Sequence, residues 1–492
     1  MKCYQSIYEI NTRVWIRQFD TDNKKATLQD IPLEIWDGLA EKGINYIWLM
    51  GVWKNCPSTI QKYCFEENLV WEYKKALKDF DDEDVIGSPY SICGYEINPA
   101  LGTAEELKWL RLELKKRGLK LILDFVPNHF SADTDFIETH PEIFLQTDEE
   151  NYAADKHTYY KPENGNGKAF AHARDPFFPA WQDTIQLNYF SEKTREFMIS
   201  QLVKITNYCD GVRCDMAMLV LNNIFRNTWG GILNKLGFEK PEDEFWKLAI
   251  SIIKDVEPSF LFIAEAYWDL EWELQQLGFD YTYDKKLTDR LKAGYVMEIR
   301  DHLLAKDDFQ NRSLRFIENH DEERAVAALG KERSKAAAVI ISTLRGMRFY
   351  HDGQFEGKKI QLPVQLGRSP HEKTQEDMVQ FYNRLLEITK SSIFKVGTWS
   401  LLKTYPVAQN DESYKNILAW EWKLKDERRL VTVNYEDCSS RCRIILDLRG
   451  YPERITLKDL LTGAEYVRSS DEVYLSGLFI ELKNYQSHIF AY

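Results

Sequence analysis

Short apolar runs alternate along most of the chain with longer segments that have the apolar spacing of amphipathic helices. Apolar runs of this kind predict parallel strands that are buried on both faces. Eight strands are predicted, at residues 6–16, 46–52, 120–126, 211–217, 260–266, 279–285, 313–319 and 346–352. Helices are predicted between them, and the clearest is 103–118, with Thr103 as N-cap, Glu106 three residues later and Gly118 at the end. Eight repeated strand–helix units favour an α/β fold that is a closed (β/α)8 TIM barrel rather than an open sheet.

Two parts of the chain depart from this alternation. Residues from 129 to about 188 are irregular and rich in Asp, Asn, His and aromatic residues, which predicts an inserted subdomain after strand 3 on the catalytic face. Beyond residue 396, short strands at close spacing predict a C-terminal antiparallel β-sandwich, which we expect to brace the barrel. We therefore assign residues 1–128 and 190–395 to the barrel, 129–189 to the inserted subdomain and 396–492 to the sandwich.

Polar side chains follow the apolar part of four predicted strands. Asp215, Glu265 and Asp321 end the apolar runs in GVRCDMAM, FLFIAEAYW and FIENHDEE, and Asn128 with His129 ends LILDFVPNH. The carboxyl ends of barrel strands meet at one face, and barrel enzymes build their active sites there. Three carboxyl groups at that face, with His and Arg beside them, indicate acid/base or covalent chemistry on a neutral substrate rich in hydroxyl groups.

The composition narrows the choice of partner. The chain has 492 residues and a formal net charge of −13, which disfavours nucleic acid and anionic membrane surfaces as partners and leaves the oligomeric state open. No apolar run reaches the roughly 18 residues that cross a bilayer, and the start has no apolar stretch of signal-peptide length. The eight cysteines form no CxxC pair, so we predict free thiols and a cytoplasmic protein, with Cys214 as core filling.

The four frames resemble the four signature regions of the α-amylase family of glycoside hydrolases, in the family's order and at compatible spacing. The resemblance covers essentially the whole chain and extends to IYEINTRVW at the start and LGTAEELKWL before the third strand. It implies a retaining α-glycosidase in which Asp215 is the nucleophile, Glu265 is the general acid/base and Asp321 is the third carboxylate, which holds sugar hydroxyls. Such a reaction needs one ionised carboxylate and one protonated acid about 5 Å apart.

The same resemblance implies residues that bind the reacting sugar. His129 and His320 match two histidines that bind its hydroxyl groups, and Tyr90 in GSPYSICGY matches a tyrosine that stacks under it. Arg213 lies two residues before Asp215, so both side chains face the same side of the strand. Its positive charge is expected to lower the pKa of that carboxyl and keep it ionised.

Some supporting positions follow the family pattern and others depart from it. Asp124 matches a structural position inside the barrel, and Asn128 matches a ligand of the structural calcium ion that many members bind. However, Gln186 in TIQLN stands where the family usually has an Asp ligand, and Met218 with Leu219 replaces a Lys–His pair. A hard cation needs several oxygens and compensating charge, so we expect no metal and no required cofactor. Loss of the Lys leaves the specificity for the accepting sugar open.

Three interpretations of the function follow. We predict a hydrolase of α-linked glucans or maltooligosaccharides, with an α-glucanotransferase of maltosyltransferase type as the alternative, because either water or a sugar can accept the glycosyl group. A non-catalytic glycan-binding or partner subunit is the third, and the presence of all three acids disfavours it. Segment 349–370 is predicted to be an ordered loop, and sugar or phosphate binding by Lys358, Lys359 or Arg368 is left open.

Overall fold

The computed structural model describes residues 4–492. Eight parallel strands close into a barrel, so the predicted fold class is confirmed. We number these strands β1 to β8: Ser6–Asn11, Tyr46–Met50, Lys120–Phe125, Gly211–Cys214, Leu261–Ala264, Tyr281–Tyr283, Ser313–Arg315 and Met347–His351. Strands that are consecutive in this numbering pair in parallel, and β1 closes the ring by pairing with both β2 and β8.

The alternation of side chains along each strand explains why the strands are apolar on both faces. Trp48, Ile122, Ile263 and Phe349 belong to the cluster that fills the barrel interior. Alternate residues such as Leu121 point outwards and belong to the larger cluster between the strands and the helices. The barrel interior is thus a packed core, and the polar residues that follow the strands are left at its carboxyl end.

Helices between the strands form the outer layer of the barrel. The α-helices of the described chain are Thr12–Trp15, Leu33–Glu41, Pro57–Tyr63, Glu67–Ala76, Ala104–Lys116, Phe136–Thr139, Glu149–Ala154, Glu192–Ile205, Asn222–Lys235, Phe245–Val256, Glu271–Gln276, Lys285–Ala293, Val296–Leu303, Asp307–Asn311, Ala325–Leu329, Lys331–Thr343, Glu376–Thr389, Ile393–Val396 and Ser470–Ser476. The predicted N-cap is confirmed, because the Thr103 hydroxyl accepts the Glu106 N–H at 3.2 Å. None of the helices within residues 4–492 is long and apolar enough to cross a membrane.

Several strands end earlier than their apolar pattern predicts. The run at 6–16 is a strand only as far as Asn11 and continues as the short helix Thr12–Trp15. The run at 211–217 leaves the sheet after Cys214, and Met216 then turns the chain with a φ of 41°. Apolar residues beyond these strand ends, such as Ile16 and Ala217, are nevertheless fully buried, which explains why the apolar pattern continues past the strands.

The segment predicted as irregular after β3 contains short strands. His129–Ser131 pairs antiparallel with Thr184–Gln186, so the beginning and end of the segment lie side by side. A small sheet forms within it from Gln146–Thr147, Ala169–Ala171 and Tyr159–Tyr160. The inserted segment therefore leaves and rejoins the barrel at the same place on the catalytic face.

A second excursion, between β2 and β3, is absent from the sequence prediction. Its strands Trp53–Asn55 and Ile92–Ile97 pair antiparallel, and Cys56, which follows the first strand, forms a disulfide with Cys93 on the second, with Cα atoms 5.4 Å apart. The prediction of free thiols is wrong for this pair, because the pairing of the two strands brings together cysteines that are 37 residues apart in the chain. The cytoplasmic location, which rested partly on free thiols, stays a prediction. The free cysteines of the described chain are Cys64, Cys209, Cys214, Cys438 and Cys442, and Cys3 lies outside the described residues.

The C-terminal strands form two antiparallel sheets that share an apolar core, as the predicted sandwich requires. Numbered β9 to β16, they are Thr398–Leu401, Ile417–Leu424, Glu427–Asn434, Ser440–Ile444, Arg454–Asp459, Glu465–Ser469, Leu478–Leu482 and Ser487–Ala491. One sheet has the order β9-β10-β11-β16-β13-β14, and β12 pairs with β15 in the other. Ile444, Leu457 and Ile480 pack in the core between them. The domain boundaries given above stay predictions.

Trp422 on β10 joins the sandwich to the barrel. Its indole N–H donates to the Thr343 carbonyl oxygen at 2.7 Å, at the end of the helix that precedes β8. Its ring makes edge contacts with Tyr4 and Phe394 and is fully buried. This single side chain thus combines apolar packing with a hydrogen bond between the two parts of the chain.

We expect Trp422→Leu to lower the free energy of unfolding by about 3 kcal/mol, because it leaves a cavity and an unpaired buried carbonyl group. Denaturant unfolding followed by circular dichroism measures the change. Trp71→Leu is the matched control, since that ring is 62% exposed, and it should cost less than about 0.5 kcal/mol. An equal decrease in the free energy of unfolding in the two variants would contradict a bracing role for Trp422.

Candidate active site

Five of the residues that the sequence analysis selects line one cavity at the carboxyl end of the barrel. The cavity has a volume of about 820 Å³, and its wall includes Asp215, Glu265, Asp321, Tyr90 and His129. Asp215 follows β4 directly, Glu265 follows β5 directly and Asp321 lies in the loop after β7. The fold therefore brings together three acids from separate strand ends.

A single buried guanidinium contacts two of these acids. Arg213 Nη1 lies 2.6 Å from Asp215 Oδ1, and its Nη2 lies 2.8 Å from Glu265 Oε2. The arginine side chain is only 1% exposed, so both contacts are shielded from water. Three aromatic rings surround it within the range of cation–π attraction, those of Trp48, Tyr90 and Tyr283, at 5.2, 5.2 and 5.6 Å. Arg213 thus fixes the two carboxyl groups relative to each other.

Two neighbours that the sequence analysis does not select hold the carboxyl group of Glu265. The Tyr267 hydroxyl donates to Oε1 at 2.8 Å, and the Met216 backbone N–H donates to Oε2 at 2.7 Å. The left-handed turn at Met216, unfavourable for a long side chain, places this N–H beside Glu265. Tyr267 could have been selected because it lies two residues after Glu265. A backbone donor leaves no such signal in the sequence.

Burial controls the protonation of both acids. It raises the pKa of Glu265 to about 7, where Arg213 acts to lower the pKa and Asp215 to raise it. Burial also raises the pKa of Asp215 above its ordinary value, and the charge and hydrogen bond of Arg213 oppose that shift. Arg213 therefore acts on Asp215 in the predicted direction, but the loss of water around the carboxyl outweighs it.

A second network holds the third acid. His320 Nε2 lies 3.0 Å from Asp321 Oδ2 and 2.8 Å from the Tyr90 hydroxyl, and His320 Nδ1 lies 2.5 Å from Glu9 Oε1. Burial by itself lowers the pKa of His320, but Asp321 and Glu9 raise the pKa well above its ordinary value. Burial likewise acts to raise the pKa of Asp321, and the charge of His320 brings that pKa below its ordinary value. A charged imidazole thus faces an ionised carboxylate.

Glu9 is a further residue that the sequence analysis misses. It lies on β1 and is fully buried, beneath the imidazole that it holds. Its signal is present in the sequence, because a Glu inside the apolar run SIYEI must be buried in a barrel strand, and a buried carboxylate requires a partner.

The remaining predicted residues lie beside or beneath the cavity. Asp124 accepts the Trp48 indole N–H at 3.1 Å and the Gly51 N–H at 2.9 Å, and burial raises its pKa to about 6. These contacts lie inside the barrel, and the structural role that the resemblance implies for Asp124 stays a prediction. Burial lowers the pKa of His129 to about 4, so a neutral imidazole faces the cavity, with its ring 5.6 Å from that of Trp181.

Asn128 is hydrogen-bonded to the side-chain amide of Gln186, and the surroundings do not suit a cation. The Gln186 Nε2 donates to the Asn128 carbonyl oxygen at 2.9 Å, to Asn128 Oδ1 at 3.0 Å and to the Leu187 carbonyl oxygen at 3.0 Å. All three oxygens are neutral, whereas calcium binds about six to eight oxygens that include carboxylates. The residues present do not fit calcium. Within residues 4–492, no cluster of three or more His, Cys, Asp or Glu side chains is arranged to hold a metal ion.

The cations of segment 349–370 do not line the cavity that contains the acids. Arg368 forms ion pairs with Asp84 and Asp79, at 2.5 and 3.2 Å, and these fix the segment to the excursion after β2. Lys358 lies 4.0 Å from Asp352, and Lys359 is exposed. The segment lines a separate cavity of about 750 Å³ that also includes His320.

Comparison with known proteins gives a consistent family. A model of the α-amylase catalytic domain matches residues 33–384. Alpha-amylase 3 of Dictyoglomus thermophilum is 22% identical over 394 residues, which cover 69% of this chain and 72% of that protein. Alpha-amylase 2 of the same organism is 22% identical over 500 residues, which cover 94% of this chain and 78% of that protein.

Solved structures share the fold over the whole chain. A noncanonic maltogenic α-amylase from Thermotoga neapolitana superposes with a TM-score of 0.70 and 20% identity, covering 99% of this chain and 98% of that one. The α-amylase of Geobacillus thermoleovorans, solved with acarbose, gives a TM-score of 0.67 and 17% identity, with coverage of 99% and 98%. At these identities the likeness concerns the arrangement of the chain and not the details of the site.

We expect the melting temperature of the wild-type protein to be the same in excess Ca²⁺ and in excess EDTA, because Gln186 Nε2 fills the place of a cation. Gln186→Asp removes this donor and supplies a carboxylate, so we expect that variant to be less stable in EDTA and to be stabilised by added Ca²⁺. Differential scanning fluorimetry measures both effects.

Gln18→Asp is the matched control for this test, because Gln18 is exposed and distant from Asn128 in the chain. The melting temperature of this control variant should not depend on Ca²⁺. Gln186 Oε1 has no hydrogen-bond partner among the described residues. A Ca²⁺-dependent rise in the wild-type melting temperature would mean that the amide turns this oxygen towards a bound ion, and it would contradict our interpretation.

Proposed function

Because this chain belongs to the α-amylase family of glycoside hydrolases, we propose that it cleaves α-linked glucans or maltooligosaccharides with retention of the α configuration. The observation that supports this most directly is the pair of carboxyl groups on one guanidinium, Asp215 on Nη1 and Glu265 on Nη2 of Arg213. A retaining enzyme needs two carboxyl groups about 5 Å apart with different protonation states. Adjacent nitrogens of one arginine favour such a separation.

In the first step Asp215 attacks C1 of the reacting sugar, and Glu265 gives its proton to the leaving glycosidic oxygen. The pKa of about 7 suits Glu265 to this role, because the carboxyl still holds a proton near neutral pH. Asp215 receives a direct hydrogen bond from Arg213, which favours its ionised form. The products of this step are a glycosyl ester of Asp215 and an ionised Glu265.

In the second step Glu265 accepts a proton from the incoming hydroxyl group while that oxygen displaces Asp215 from C1. Water as the acceptor gives hydrolysis, and a sugar hydroxyl gives transfer. The family assignment favours hydrolysis, and an α-glucanotransferase of maltosyltransferase type is the alternative. The maltogenic activity named for the Thermotoga neapolitana protein supports an α-glucan substrate for this chain as well.

Residues on the cavity wall, and His320 beside it, would bind the reacting sugar. Asp321 presents an ionised acceptor and His320 a charged donor side by side, which suits two neighbouring hydroxyl groups. His129 offers a neutral imidazole on the cavity wall. The ring of Tyr90 can stack against the sugar, with its hydroxyl held by His320. A neutral substrate also agrees with the net charge of −13.

The interpretation as a non-catalytic glycan-binding or partner subunit receives no support from the site. Such a protein has no need for an acid whose pKa is raised to about 7 beside a second buried carboxylate. The family membership instead makes the chain an enzyme.

We expect Asp215→Asn and Glu265→Gln each to lower kcat on maltoheptaose by about 10²–10⁴-fold or more, because each removes one half of the carboxyl pair. Chromatography of the products measures the rate, and NMR during the first turnovers should show the α-anomer. Asp22→Asn, at an exposed position, is the matched control. An unchanged rate in Asp215→Asn, or a β-anomer from the wild type, would refute the mechanism.

The same product analysis separates hydrolysis from transfer. Short maltooligosaccharides alone indicate a hydrolase. Products longer than maltoheptaose indicate the transferase alternative.

The pH dependence tests the role of Glu265. A carboxyl group with a pKa of about 7 is protonated below that pH and ionised above it, so kcat/KM on maltoheptaose should fall as the pH rises through about 7. α-Maltosyl fluoride releases fluoride without a proton from the enzyme, so the alkaline fall should be absent with this substrate. The same alkaline limb with both substrates would show that another group causes it.

A further inference from the structure

Two loops that come from either side of β1 meet at the carboxyl end of the barrel. Residues 79–86 belong to the excursion after β2, and residues 361–368 belong to the loop after β8. Since β1 pairs with both β2 and β8, a contact between these loops must pass across the end of β1. We call residues 79–86 and 361–368 together the bridge.

Backbone hydrogen bonds join the two halves of the bridge. The Ile86 N–H donates to the Gln365 carbonyl oxygen at 2.8 Å, and the Gly367 N–H donates to the Asp84 carbonyl oxygen at 2.7 Å. These bonds enclose an antiparallel pairing of two residues, one from each half. The two loops are therefore joined as neighbouring strands of a sheet are joined.

Ion pairs and an apolar cluster strengthen this connection. Arg368 forms ion pairs with Asp84 at 2.5 Å and with Asp79 at 3.2 Å. Leu366 is fully buried, and it belongs to the same apolar cluster as Val85 on the opposite half. The bridge thus has a small core of its own.

Arg13, two residues after β1, holds both halves of the bridge. Its Nη2 donates to the Val364 carbonyl oxygen at 2.6 Å, and its Nη1 donates to the Ile86 carbonyl oxygen at 3.5 Å. Arg13 is 4% exposed, so this side chain fills the space between the end of β1 and the bridge.

The bridge separates two cavities. Gln365 lines the cavity that contains the three acids, whereas Arg368 lines the second cavity, of about 750 Å³. Among residues 4–492, none lines both cavities. The cavity that contains the acids therefore ends at the bridge on this side.

The order of the strands shows which end of a substrate meets the bridge. Glu265 follows β5, which lies opposite β1 in the ring of eight strands. In the proposed reaction Glu265 protonates the leaving oxygen, so the leaving part of the glucan extends towards β5. The part that stays on Asp215 extends the other way, towards β1 and the bridge, and this part carries the non-reducing end.

We propose that the bridge closes this end of the cavity, so that the protein acts on the non-reducing ends of α-glucans and releases a short saccharide of fixed length. The proposal rests on the proposed function and narrows its substrate class to chain ends. The bonds that break and form are those of the two steps described above. A glucan that continued past the bridge would have to separate its two halves, which disfavours cleavage inside a long chain.

The test compares two substrates with the full-length protein. One is maltoheptaose, and the other is maltoheptaose with an ethylidene acetal on the 4- and 6-hydroxyl groups of its non-reducing end. Chromatography measures cleavage of both. We expect the wild type to cleave the blocked substrate at least about 100-fold more slowly, and to release one short saccharide first from the unmodified substrate.

Two variants weaken the bridge without changing a residue that lines the cavity of the acids. Arg368→Ala removes the ion pairs, and Leu366→Ala removes the buried apolar contact. We expect each to raise the rate on the blocked substrate, relative to unmodified maltoheptaose, roughly two- to fivefold or more. Arg449→Ala is the matched control, because it removes an ion pair with Asp447 on the surface of the sandwich. It should leave this ratio at the wild-type value.

Three outcomes would overturn the proposal. Equal rates of the wild type on the blocked and unmodified substrates refute the closure and leave the proposed function standing. A wild-type preference that stays unchanged in both Arg368→Ala and Leu366→Ala refutes the bridge as its cause. A wild-type protein that cleaves neither substrate refutes the proposed function, and the closure with it.

Discussion

The site depends on one buried charge, the guanidinium of Arg213. The strand register places Arg213 beside Asp124 of β3 and Ile263 of β5, so the barrel itself sets its position. Burial of a charge is unfavourable unless partners compensate it, and here Asp215 and Glu265 do so at hydrogen-bond distance. The two acids are therefore placed by the requirement to neutralise a cation that the packed strands hold in the core.

Burial, together with neighbouring charge, explains why Glu265 still holds a proton near neutral pH. Arg213 contacts the carboxyl groups of Asp215 and Glu265, and His320 contacts those of Glu9 and Asp321. Two carboxyl groups that share one buried cation favour a proton on one of them. Burial is the largest cause that raises the pKa of Glu265 to about 7, and the charges of Asp215 and Asp321 raise it further, whereas burial alone raises the pKa of Asp124 to about 6. In the proposed mechanism this geometry supplies both a nucleophile and an acid.

The sequence predicts the parts of the site that strand periodicity controls. Asp215 and Glu265 were located because a polar residue that ends a buried parallel strand must lie at the carboxyl face. Contacts made by the backbone, such as the Met216 N–H on Glu265, depend on a turn that residue types do not specify. The Cys56–Cys93 disulfide was missed for a similar reason. The two strands that bring these cysteines together are short, and their segment lacks a clear pattern of apolar and polar positions. Net pKa shifts also required the structure, because they depend on burial as much as on neighbouring charge.

The division of labour between barrel and loops follows from these constraints. Asp215 and Glu265, which react with the sugar in the proposed mechanism, directly follow barrel strands, where packing restricts their movement. The bridge of residues 79–86 and 361–368 instead joins two loops and has its own apolar cluster around Leu366. Such loops can vary without disturbing the charge network around Arg213. In the proposed mechanism the closed barrel therefore places the reacting groups, whereas the loops at the edge of the cleft can differ without moving them.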